Sequence, residues 1–251
     1  MKVLGIIPSR YASTRFPGKP LADICGKSMV QRVYEQANAA KDIERVVVAT
    51  DDERIARHVK NFGGNVMLTD SNHANGTSRC LEVVKELEKQ GHYFDVVINI
   101  QGDEPLIQPE QIRQLISLFQ DKMTDIATLA HPIREMALLT NPNAVKVVTG
   151  VQKQALYFSR QALPFVRDEK PENWLGKSSF YKHLGLYAYR TAVLKKIVLL
   201  PPGKLEQTEK LEQLRWLENC FVVKVEITEY EGVGVDTPED LAKLINKICN
   251  G

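Results

Sequence analysis

The stretch that decides the fold is VLGIIPSRYASTRFPGKP, residues 3–20. Its apolar start, VLGII, predicts a buried strand. The following segment carries three cations, Arg10, Arg15 and Lys19, among hydroxyl groups, glycine and proline. Backbone N–H groups, hydroxyls and cations in one loop are donors that can bind a polyphosphate. The order predicts an anion-binding loop after the first strand; the alternative is a solvated surface loop, since loops are normally polar and exposed.

The composition excludes partners that need a strong overall charge. The chain has 251 residues, with 33 Lys plus Arg against 31 Asp plus Glu and a net charge of +2. No overall field therefore attracts nucleic acid or an anionic membrane. The first apolar run lacks the length and cleavage site of a signal peptide, and no stretch approaches the ~20 apolar residues of a membrane helix. We expect a soluble cytoplasmic protein with no nucleic-acid partner and no membrane insertion.

The cysteines also favour a cytoplasmic location. Cys25, Cys80, Cys220 and Cys249 lie far apart and show no CxxC spacing. This pattern is more typical of reduced thiols than of a disulfide framework or a zinc site. We therefore expect free thiols.

Apolar, β-branched runs alternate with helix-period stretches through the first half of the chain. The predicted strands are VLGII, RVVVAT at 45–50, NVMLT at 65–69, DVVINI at 95–100 and DIATLA at 125–130. Between them we predict helices that begin after Ser28 and after Asp51 or Asp52, and a third from about Thr77 to Gln90. This alternation predicts an α/β fold: a doubly wound, mostly parallel sheet whose ligands bind at the carboxyl ends of the strands.

The second half has a less regular pattern. AVKVVT, QALYFS, KHLGLYAYR and VVKVEIT predict strands, and LEQTEKLEQLRWLEN predicts one amphipathic helix. A last helix begins near Thr237 and Pro238 and ends at Cys249, and the charged segment 167–177 is predicted to be a surface loop. Mixed strands after a parallel half predict a smaller mixed subdomain that covers the active site. Because no linker separates the halves, we expect a single domain, 1–251.

Familiar phosphate and hydrolase motifs fail when their spacing is checked. Gly26, Lys27 and Ser28 resemble the end of a Walker A loop, but Leu21 stands where its first glycine belongs. GVGVDT begins like a dinucleotide fingerprint, yet Thr237 occupies the third glycine position. HExxH and GxSxG do not occur in the sequence. These results argue against a P-loop ATPase, a Rossmann NAD site and hydrolases.

Two carboxylates follow predicted strands. Asp103 lies in NIQGDEPLI, directly after an apolar strand, and Asp236 lies in GVGVDTPED. Asp103 could simply cap a turn, and Asp236 could cap the helix that begins at Pro238. Together with a cationic loop, however, two such carboxylates suit Mg²⁺-assisted nucleotidyl transfer, in which metal and cations offset the charge of the phosphoryl group.

A family resemblance extends almost from end to end. The motifs that carry it are SRYASTRFPGKPL, ADICGKSMVQRV, VATDDERI, HANGTSR, NIQGDEPLI, NPNAVKVV, ALYFSR, KHLGLYAYR, LEQLRWLE and GVDTPEDL. In this order they resemble the 3-deoxy-manno-octulosonate (Kdo) cytidylyltransferases, or CMP-Kdo synthetases, which have a nucleotide-diphospho-sugar transferase-like fold. The resemblance implies attack of the anomeric 2-hydroxyl of Kdo, an acidic eight-carbon sugar, on the α-phosphorus of CTP. It also implies Mg²⁺, a homodimer, pyrophosphate as second product, and CMP-Kdo destined for lipopolysaccharide.

The resemblance also assigns residues. Those that match the triphosphate-binding loop are Arg10, Ser13 and Lys19; the metal ligands are Asp103 and Asp236; positions at the sugar are Arg15, Gln101, His183, Tyr187 and Glu212. Arg79 falls near the nucleotide, and the residues expected to be catalytic are Lys19, Asp103 and Arg10. The compact charge of lysine suits phosphate oxygens, whereas a guanidinium can bind a sugar carboxylate through two parallel hydrogen bonds. One position departs from the family, which usually has an acidic residue where Ser78 stands.

Some alternatives stay open at this point. His183 could be a packed core histidine, and Trp216 is predicted to be a packing or dimer contact rather than a ligand platform. The sugar could be 8-amino-Kdo or a sialic acid instead of Kdo. A protein of another class, a nucleotide-binding regulator without catalysis, would also carry the loop, although the presence of both carboxylates argues against it.

Overall fold

The computed structural model describes residues 1–12 and 15–249, which fall into two compact units. The first unit comprises Met1–Arg113 and Gly232–Gly251, and the second comprises Gln114–Glu231. Among the described residues, no helix is both long and apolar enough to cross a membrane. The expectation of a single domain stays a prediction.

The first unit contains a parallel sheet. Its strands are β1 (Val3–Ser9), β4 (Arg45–Thr50), β5 (Val66–Leu68) and β6 (Val96–Asn99), and a small hairpin is formed by β2 (Asp23–Ile24) and β3 (Lys27–Ser28). The sheet has the order β6-β1-β4-β5, and all three pairings are parallel. Both faces of β1 and β6 are buried, as unbroken apolar runs predict. The strand predictions for this half are confirmed.

Helices follow the strands of the first unit. They are α1 (Met29–Ala39), α2 (Glu53–Asn61), α3 (Gly76–Lys89) and α4 (Pro109–Leu118), with a last helix, α10 (Pro238–Cys249), and a 3-10 turn at Lys19–Leu21. Ser28 caps α1 by accepting a hydrogen bond from Gln31 N at 3.2 Å, as predicted. Asp52, and not Asp51, caps α2 by accepting from Arg54 N at 2.9 Å. The sequence analysis missed α4, although proline at a first helical position is a start signal.

The second unit has mixed strands. They are β7 (Ile126–Pro132), β8 (Lys146–Thr149), β9 (Ala155–Ser159), β10 (Tyr181–Arg190) and β11 (Val223–Ile227). β7 pairs in parallel with β11 and antiparallel with β10, and β8 pairs antiparallel with β9 and β10. The helices are α5 (Met136–Thr140), α6 (Trp174–Lys177), α7 (Thr191–Ile197), α8 (Lys204–Glu209) and α9 (Glu212–Glu218). The prediction of an α/β fold with a mostly parallel sheet and mixed strands in the second half is confirmed.

Two predictions for the second unit were wrong. The single amphipathic helix is two helices, because Lys210 adopts a left-handed conformation with φ 54° and ends α8. The segment 167–177 is not only a loop, since it contains α6, whose Trp174 is buried and packs beside Phe180. A buried tryptophan stabilises this segment through the large apolar area that it removes from water.

The expectation of free thiols was wrong for one pair. Cys25, in the β2–β3 turn, and Cys249, at the end of α10, form a disulfide across 224 residues of sequence. Spacing rules detect cysteines that are close in sequence, whereas this pair is brought together by the docking of α10 within the first unit. Cys80 is buried and Cys220 is exposed, and neither takes part in a disulfide within the described part of the chain.

Candidate active site

Lys19 is the centre of a charged cluster in the first unit. Its Nζ donates to Asp103 Oδ2 at 2.8 Å, to the Val235 carbonyl at 2.8 Å and to Asp236 Oδ1 at 3.5 Å. An ammonium group has three donors, so three acceptors satisfy it. The side chain is only 12% exposed, which strengthens these interactions relative to a fully solvated pair. The fold thus brings together three residues that the sequence predicted for one site. We call Lys19, Asp103, Asp236 and Arg15 the Lys19 cluster.

The backbone before Lys19 fixes its direction. Gly18 has φ 74° and ψ 8°, in the left-handed region that glycine adopts without steric cost, and it precedes the 3-10 turn. Lys19 N donates to Phe16 O at 3.3 Å, and Leu21 N donates to Gly18 O at 2.9 Å. Pro20 is buried and has a fixed φ. The turn therefore holds the lysine backbone in a defined place.

Asp103 is held at the carboxyl end of β1. A Cβ added to Gly102 would lie 2.9 Å from the Pro8 carbonyl and 3.1 Å from Ser9 Oγ, so only glycine allows the turn to approach this closely. The Asp103 carbonyl also accepts from Val235 N at 2.9 Å. Ligands of open α/β sheets bind at this end of the strands, which is where the sequence predicted the carboxylate.

Asp236 keeps its carboxylate available for cations. Thr237 caps α10 instead, because its Oγ1 accepts from Asp240 N at 3.2 Å while the Asp240 carboxylate accepts from Thr237 N at 3.0 Å. Asp236 Oδ1 lies 3.0 Å from Arg15 Nη2. Burial by itself would raise the pKa of Asp240, but hydrogen bonds from Asp236 N, Thr237 Oγ1 and Thr237 N lower it below the usual value. The alternative that Asp236 is the helix cap was wrong.

The donor set of the Lys19 cluster fits Mg²⁺. Asp103 and Asp236 direct carboxylate oxygens to one cation, and Mg²⁺ is usually bound by one or two carboxylates together with substrate phosphates and water. Among residues 1–12 and 15–249, no group of three or more His, Cys, Asp or Glu residues could hold a metal ion. Phosphate oxygens and water would therefore have to complete the coordination of a metal here.

The other residues predicted for the phosphate loop and its surroundings differ in exposure. Arg10 is exposed, and Gln101 is half-buried in the turn that carries Asp103. The prediction for Ser13 lies outside the described residues. The roles of these side chains stay predictions.

Arg79 is an interior residue. Its side chain is 1% exposed, Nη1 donates to Thr69 Oγ1 at 2.6 Å, and Nη2 donates to Asp51 Oδ2 at 3.2 Å. The guanidinium therefore connects α3 to the ends of β4 and β5. Its expected place near the nucleotide stays a prediction.

Ser78, the departure from the family pattern, lies in the first turn of α3. Its Oγ donates to Asn75 O at 3.0 Å and lies 3.2 Å from His73 Nδ1. Glu82, one helical turn further on, contacts His73 Nε2 and accepts from Asp70 N at 3.0 Å. A carboxylate therefore lies beside His73 one helical turn after position 78, at Glu82, a residue that the sequence analysis missed. Its i+4 spacing on α3 was the available signal.

His183, on β10, has a neutral environment. Its Nε2 lies 3.0 Å from Thr128 Oγ1, and its ring is 5.0 Å from the Phe158 ring and 5.2 Å from the Tyr187 ring. Desolvation lowers its pKa from 6.5 to about 3. His183 is therefore uncharged at any ordinary working pH, which makes it a neutral hydrogen-bonding group.

Tyr187 and Tyr189 share one face of β10, as predicted, and Trp216 of α9 packs against both rings at 5.0 and 5.5 Å. Burial, helped by Tyr189 and by the charge of Glu212, raises the pKa of Tyr187 well above its ordinary value. The Tyr187 hydroxyl and Trp216 Nε1 are buried without a hydrogen-bond partner among the described residues. We call His183, Tyr187, Tyr189 and Trp216 the aromatic cluster. The packing role predicted for Trp216 is confirmed.

The fold and the Lys19 cluster define a class of protein. A parallel α/β sheet that carries a cationic loop and two converging carboxylates at the carboxyl ends of its strands is suited to nucleotidyl transfer. A family model described as cytidylyltransferase matches residues 4–226. The chain is a nucleotidyltransferase by class.

Individual relatives narrow the class. A 3-deoxy-manno-octulosonate cytidylyltransferase of Parabacteroides distasonis is 53% identical over 255 residues, covering 100% of this chain and 99% of the relative. Another, of Bacteroides thetaiotaomicron, is 53% identical, and the alignment covers 96% of each chain. A solved structure of CMP:2-keto-3-deoxy-manno-octonic acid synthetase complexed with CTP is 39% identical, with a TM-score of 0.92 over 100% of this chain and 99% of the other. The chain belongs to the cytidylyltransferase family, and within it to the 3-deoxy-manno-octulosonate cytidylyltransferases.

Proposed function

We propose that the protein transfers CMP from CTP to the anomeric 2-hydroxyl of Kdo and releases pyrophosphate. The observation that carries this function is the Lys19 cluster, in which a lysine and two carboxylates converge at the carboxyl end of a parallel strand. The family supplies the identity of the nucleotide and of the sugar. We further propose that the chain acts as one cytidylyltransferase domain and as a homodimer.

At the nucleotide, the chain's own cations offset phosphate charge. We assign Lys19, Arg10 and Ser13 to the triphosphate, and Arg79 to the nucleotide side of the site. Mg²⁺ held by Asp103 and Asp236 would supply further positive charge and make the sugar hydroxyl easier to deprotonate. Lys19 already lies against both carboxylates. Its ammonium is therefore close to the phosphate oxygens that a metal held by these carboxylates would bind. Fixed positive charge of this kind stabilises the transition state of phosphoryl transfer.

At the sugar, the proposed residues are Arg15, Gln101, His183, Tyr187 and Glu212. Arg15 is 65% exposed and paired with Asp236, so its guanidinium can change partner for a sugar carboxylate at little cost. His183 and Tyr187 are neutral and can only offer hydrogen bonds to hydroxyl groups. These assignments are supported by the family pattern and by the chemistry of each side chain.

The product and its place follow from the substrate. CMP-Kdo would serve lipopolysaccharide assembly, and we propose that it is made in the cytoplasm, where CTP is available. The Cys25–Cys249 disulfide is of a kind that is rare in reducing compartments, so it does not support this location.

Pyrophosphate release from CTP, Mg²⁺ and Kdo tests the function. We expect the wild type to release pyrophosphate and Asp103→Asn to release it at least about a hundredfold more slowly. The substitution removes the charge of a residue that is proposed as a metal ligand and is also the partner of Lys19. Glu110→Gln is the control, since it removes an exposed carboxylate of α4 whose salt-bridge partner, among the residues that the structure describes, is Arg113 in the same helix.

A substrate panel completes this experiment. Kdo should be preferred over 8-amino-Kdo and over a sialic acid. The absence of pyrophosphate release with all three sugars would contradict the proposed reaction. A clear preference for 8-amino-Kdo or a sialic acid would correct the identity of the sugar substrate.

A further inference from the structure

The loop after β1 is closed at its neck by its own backbone. Gly18 N donates to Tyr11 O at 2.9 Å, so the two ends of the segment between them are held together. Arg10, Arg15 and Lys19 flank or lie within this closed segment. Whatever fixes Tyr11 and Gly18 therefore also fixes the backbone next to Arg10 and Lys19.

The ring of Tyr11 contacts the glycine of this neck. A Cβ added to Gly18 would lie 3.2 Å from Cε2, Cζ and Oη of Tyr11. A contact this tight requires both the absence of a side chain at position 18 and the left-handed conformation that glycine adopts there. The ring thus packs directly against the residue that precedes Lys19.

Arg54 holds the Tyr11 ring from α2. The guanidinium carbon of Arg54 lies 3.3 Å from the ring centroid, which is the geometry of a cation–π contact. Asp52 orients that guanidinium with two hydrogen bonds, from Nε to Oδ1 at 3.0 Å and from Nη2 to Oδ2 at 2.6 Å. Because Asp52 also caps α2, the guanidinium is tied to the start of a helix in the first unit.

We infer that Tyr11 and Arg54 are positioning residues for the triphosphate. Their contact holds the neck of the loop, and with it Gly18 and Lys19, in the CTP-binding arrangement before the nucleotide arrives. Neither residue needs to touch the substrate. This inference rests on the proposed function, and it assigns to the DDER segment at 51–54 a task that its sequence alone does not suggest.

The Tyr11–Arg54 contact is expected to raise the fraction of molecules in which the loop has the CTP-binding conformation. If the contact is lost, the loop samples other conformations, and the apparent affinity for CTP falls in proportion to the fraction that stays competent. Saturating CTP selects the same arrangement again, so turnover at saturation is preserved. We expect Tyr11→Leu and Arg54→Gln each to raise the KM for CTP about tenfold while kcat stays within about twofold of the wild type.

Conservative variants test whether the aromatic ring and the cation themselves are needed to position the loop. Tyr11→Phe keeps the ring and should restore a KM close to that of the wild type, and Arg54→Lys should restore part of the effect because the cation stays. Arg57→Gln is the matched control, since it removes an exposed arginine from the same helix three residues further on. The double variant Tyr11→Leu/Arg54→Gln should be no worse than either single variant, because both break one contact.

Two further measurements make the test independent of catalysis and of folding. Calorimetric titration with CTP and Mg²⁺, without sugar, should show the same tenfold loss of affinity as the KM. Thermal unfolding should change little, because Arg54 is exposed and Tyr11 is only half-buried. A wild type that binds CTP but transfers nothing to Kdo would contradict the function while leaving the positioning role measurable by calorimetry.

Any of four kinetic results would overturn the inference. These are a KM within twofold of the wild type in both single variants, multiplied effects in the double variant, an equal loss in Arg57→Gln, or a fall in kcat at unchanged KM. A large fall in the unfolding temperature of Tyr11→Leu and of Tyr11→Phe alike would assign the ring to stability and overturn it as well. A wild type that does not bind CTP would overturn both the function and the inference.

Discussion

The Lys19 cluster and the aromatic cluster treat charge in opposite ways. In the Lys19 cluster each charge faces an opposite charge, and the carboxylates stay partly in water, with side-chain exposures of 32% for Asp103 and 48% for Asp236. In the aromatic cluster, burial among rings disfavours charge. It lowers the pKa of His183 to about 3, so the imidazole is neutral above that pH. The Lys19 cluster thus consists of paired charges, and the aromatic cluster contains neutral hydrogen-bonding groups.

The difference indicates how each region can meet a ligand. Partly solvated ion pairs are worth little individually, so they can exchange partners for phosphate oxygens or a metal without a large loss of stability. Buried neutral donors gain most from a partner that arrives with the substrate, because an unsatisfied buried donor is costly. The comparison therefore predicts large catalytic effects with small stability effects in the first region, and mixed effects in the second.

Removal of the central charge should have the largest effect. Lys19→Met keeps the length of the side chain but leaves two carboxylates without their shared cation, and we expect turnover to fall about a hundredfold, as on loss of one transition-state donor. Lys27→Met is the control, because Lys27 is an exposed lysine paired only with Glu35 among its described contacts. A Lys19→Met enzyme with a wild-type kcat would remove Lys19 from the catalytic role.

Removal of a single hydroxyl from the aromatic cluster should act on the substrate and not on the fold. Tyr187→Phe deletes a buried hydroxyl that has no partner among the described residues, so the free energy of unfolding should stay the same or rise by about 1 kcal/mol. The KM for Kdo should rise about tenfold, which corresponds to one lost hydrogen bond to the sugar. Steady-state kinetics and urea unfolding measure the two effects.

Tyr34→Phe is the matched control for that prediction. The Tyr34 hydroxyl is also buried, but it accepts hydrogen bonds from Asn65 N at 3.1 Å and Asn65 Nδ2 at 3.2 Å. Its removal should lower the free energy of unfolding by about 1 kcal/mol without changing the KM for Kdo. Equal destabilisation by both variants would mean that the Tyr187 hydroxyl is satisfied within the protein, which would break the comparison.

The sequence predicts the first unit well because its signals are local. Short, unbroken runs rich in β-branched residues favour buried strands, and the carboxyl ends of parallel strands share one edge, so Lys19 and Asp103 were expected together. The contribution of Val235 could not be predicted, since a backbone carbonyl has no sequence signature. Nor could the Tyr11–Arg54 contact or the Cys25–Cys249 disulfide, because each depends on how distant segments dock.

The second unit was predicted less accurately because its signals are weaker. The apolar periodicity of LEQTEKLEQLRWLEN runs straight through Lys210, where the backbone turns left-handed and separates α8 from α9. Charged residues around Trp174 hid a short helix that one buried tryptophan stabilises. In both cases tertiary packing overrides a local pattern, which periodicity alone does not reveal.

The smallest effect concerns pH and His183. The pKa of His183 is about 3 in the folded protein and 6.5 in the unfolded chain. Between pH 3 and pH 6.5, therefore, the unfolded chain binds a proton at His183 and the folded protein does not. The stabilisation is therefore complete above pH 6.5 and is lost progressively as the pH falls towards 3. Between pH 8 and pH 6 the wild type should lose roughly 0.8 kcal/mol of unfolding free energy through this residue.

His183→Gln isolates that contribution, because glutamine keeps a neutral polar group and does not titrate. Urea unfolding at pH 8 and pH 6 should show a smaller pH dependence in the variant than in the wild type, by the same roughly 0.8 kcal/mol. An identical pH dependence would mean that folded His183 accepts a proton at an ordinary pKa. The aromatic cluster would then tolerate charge as the Lys19 cluster does, and the contrast between the two regions would fail at the residue where it is strongest.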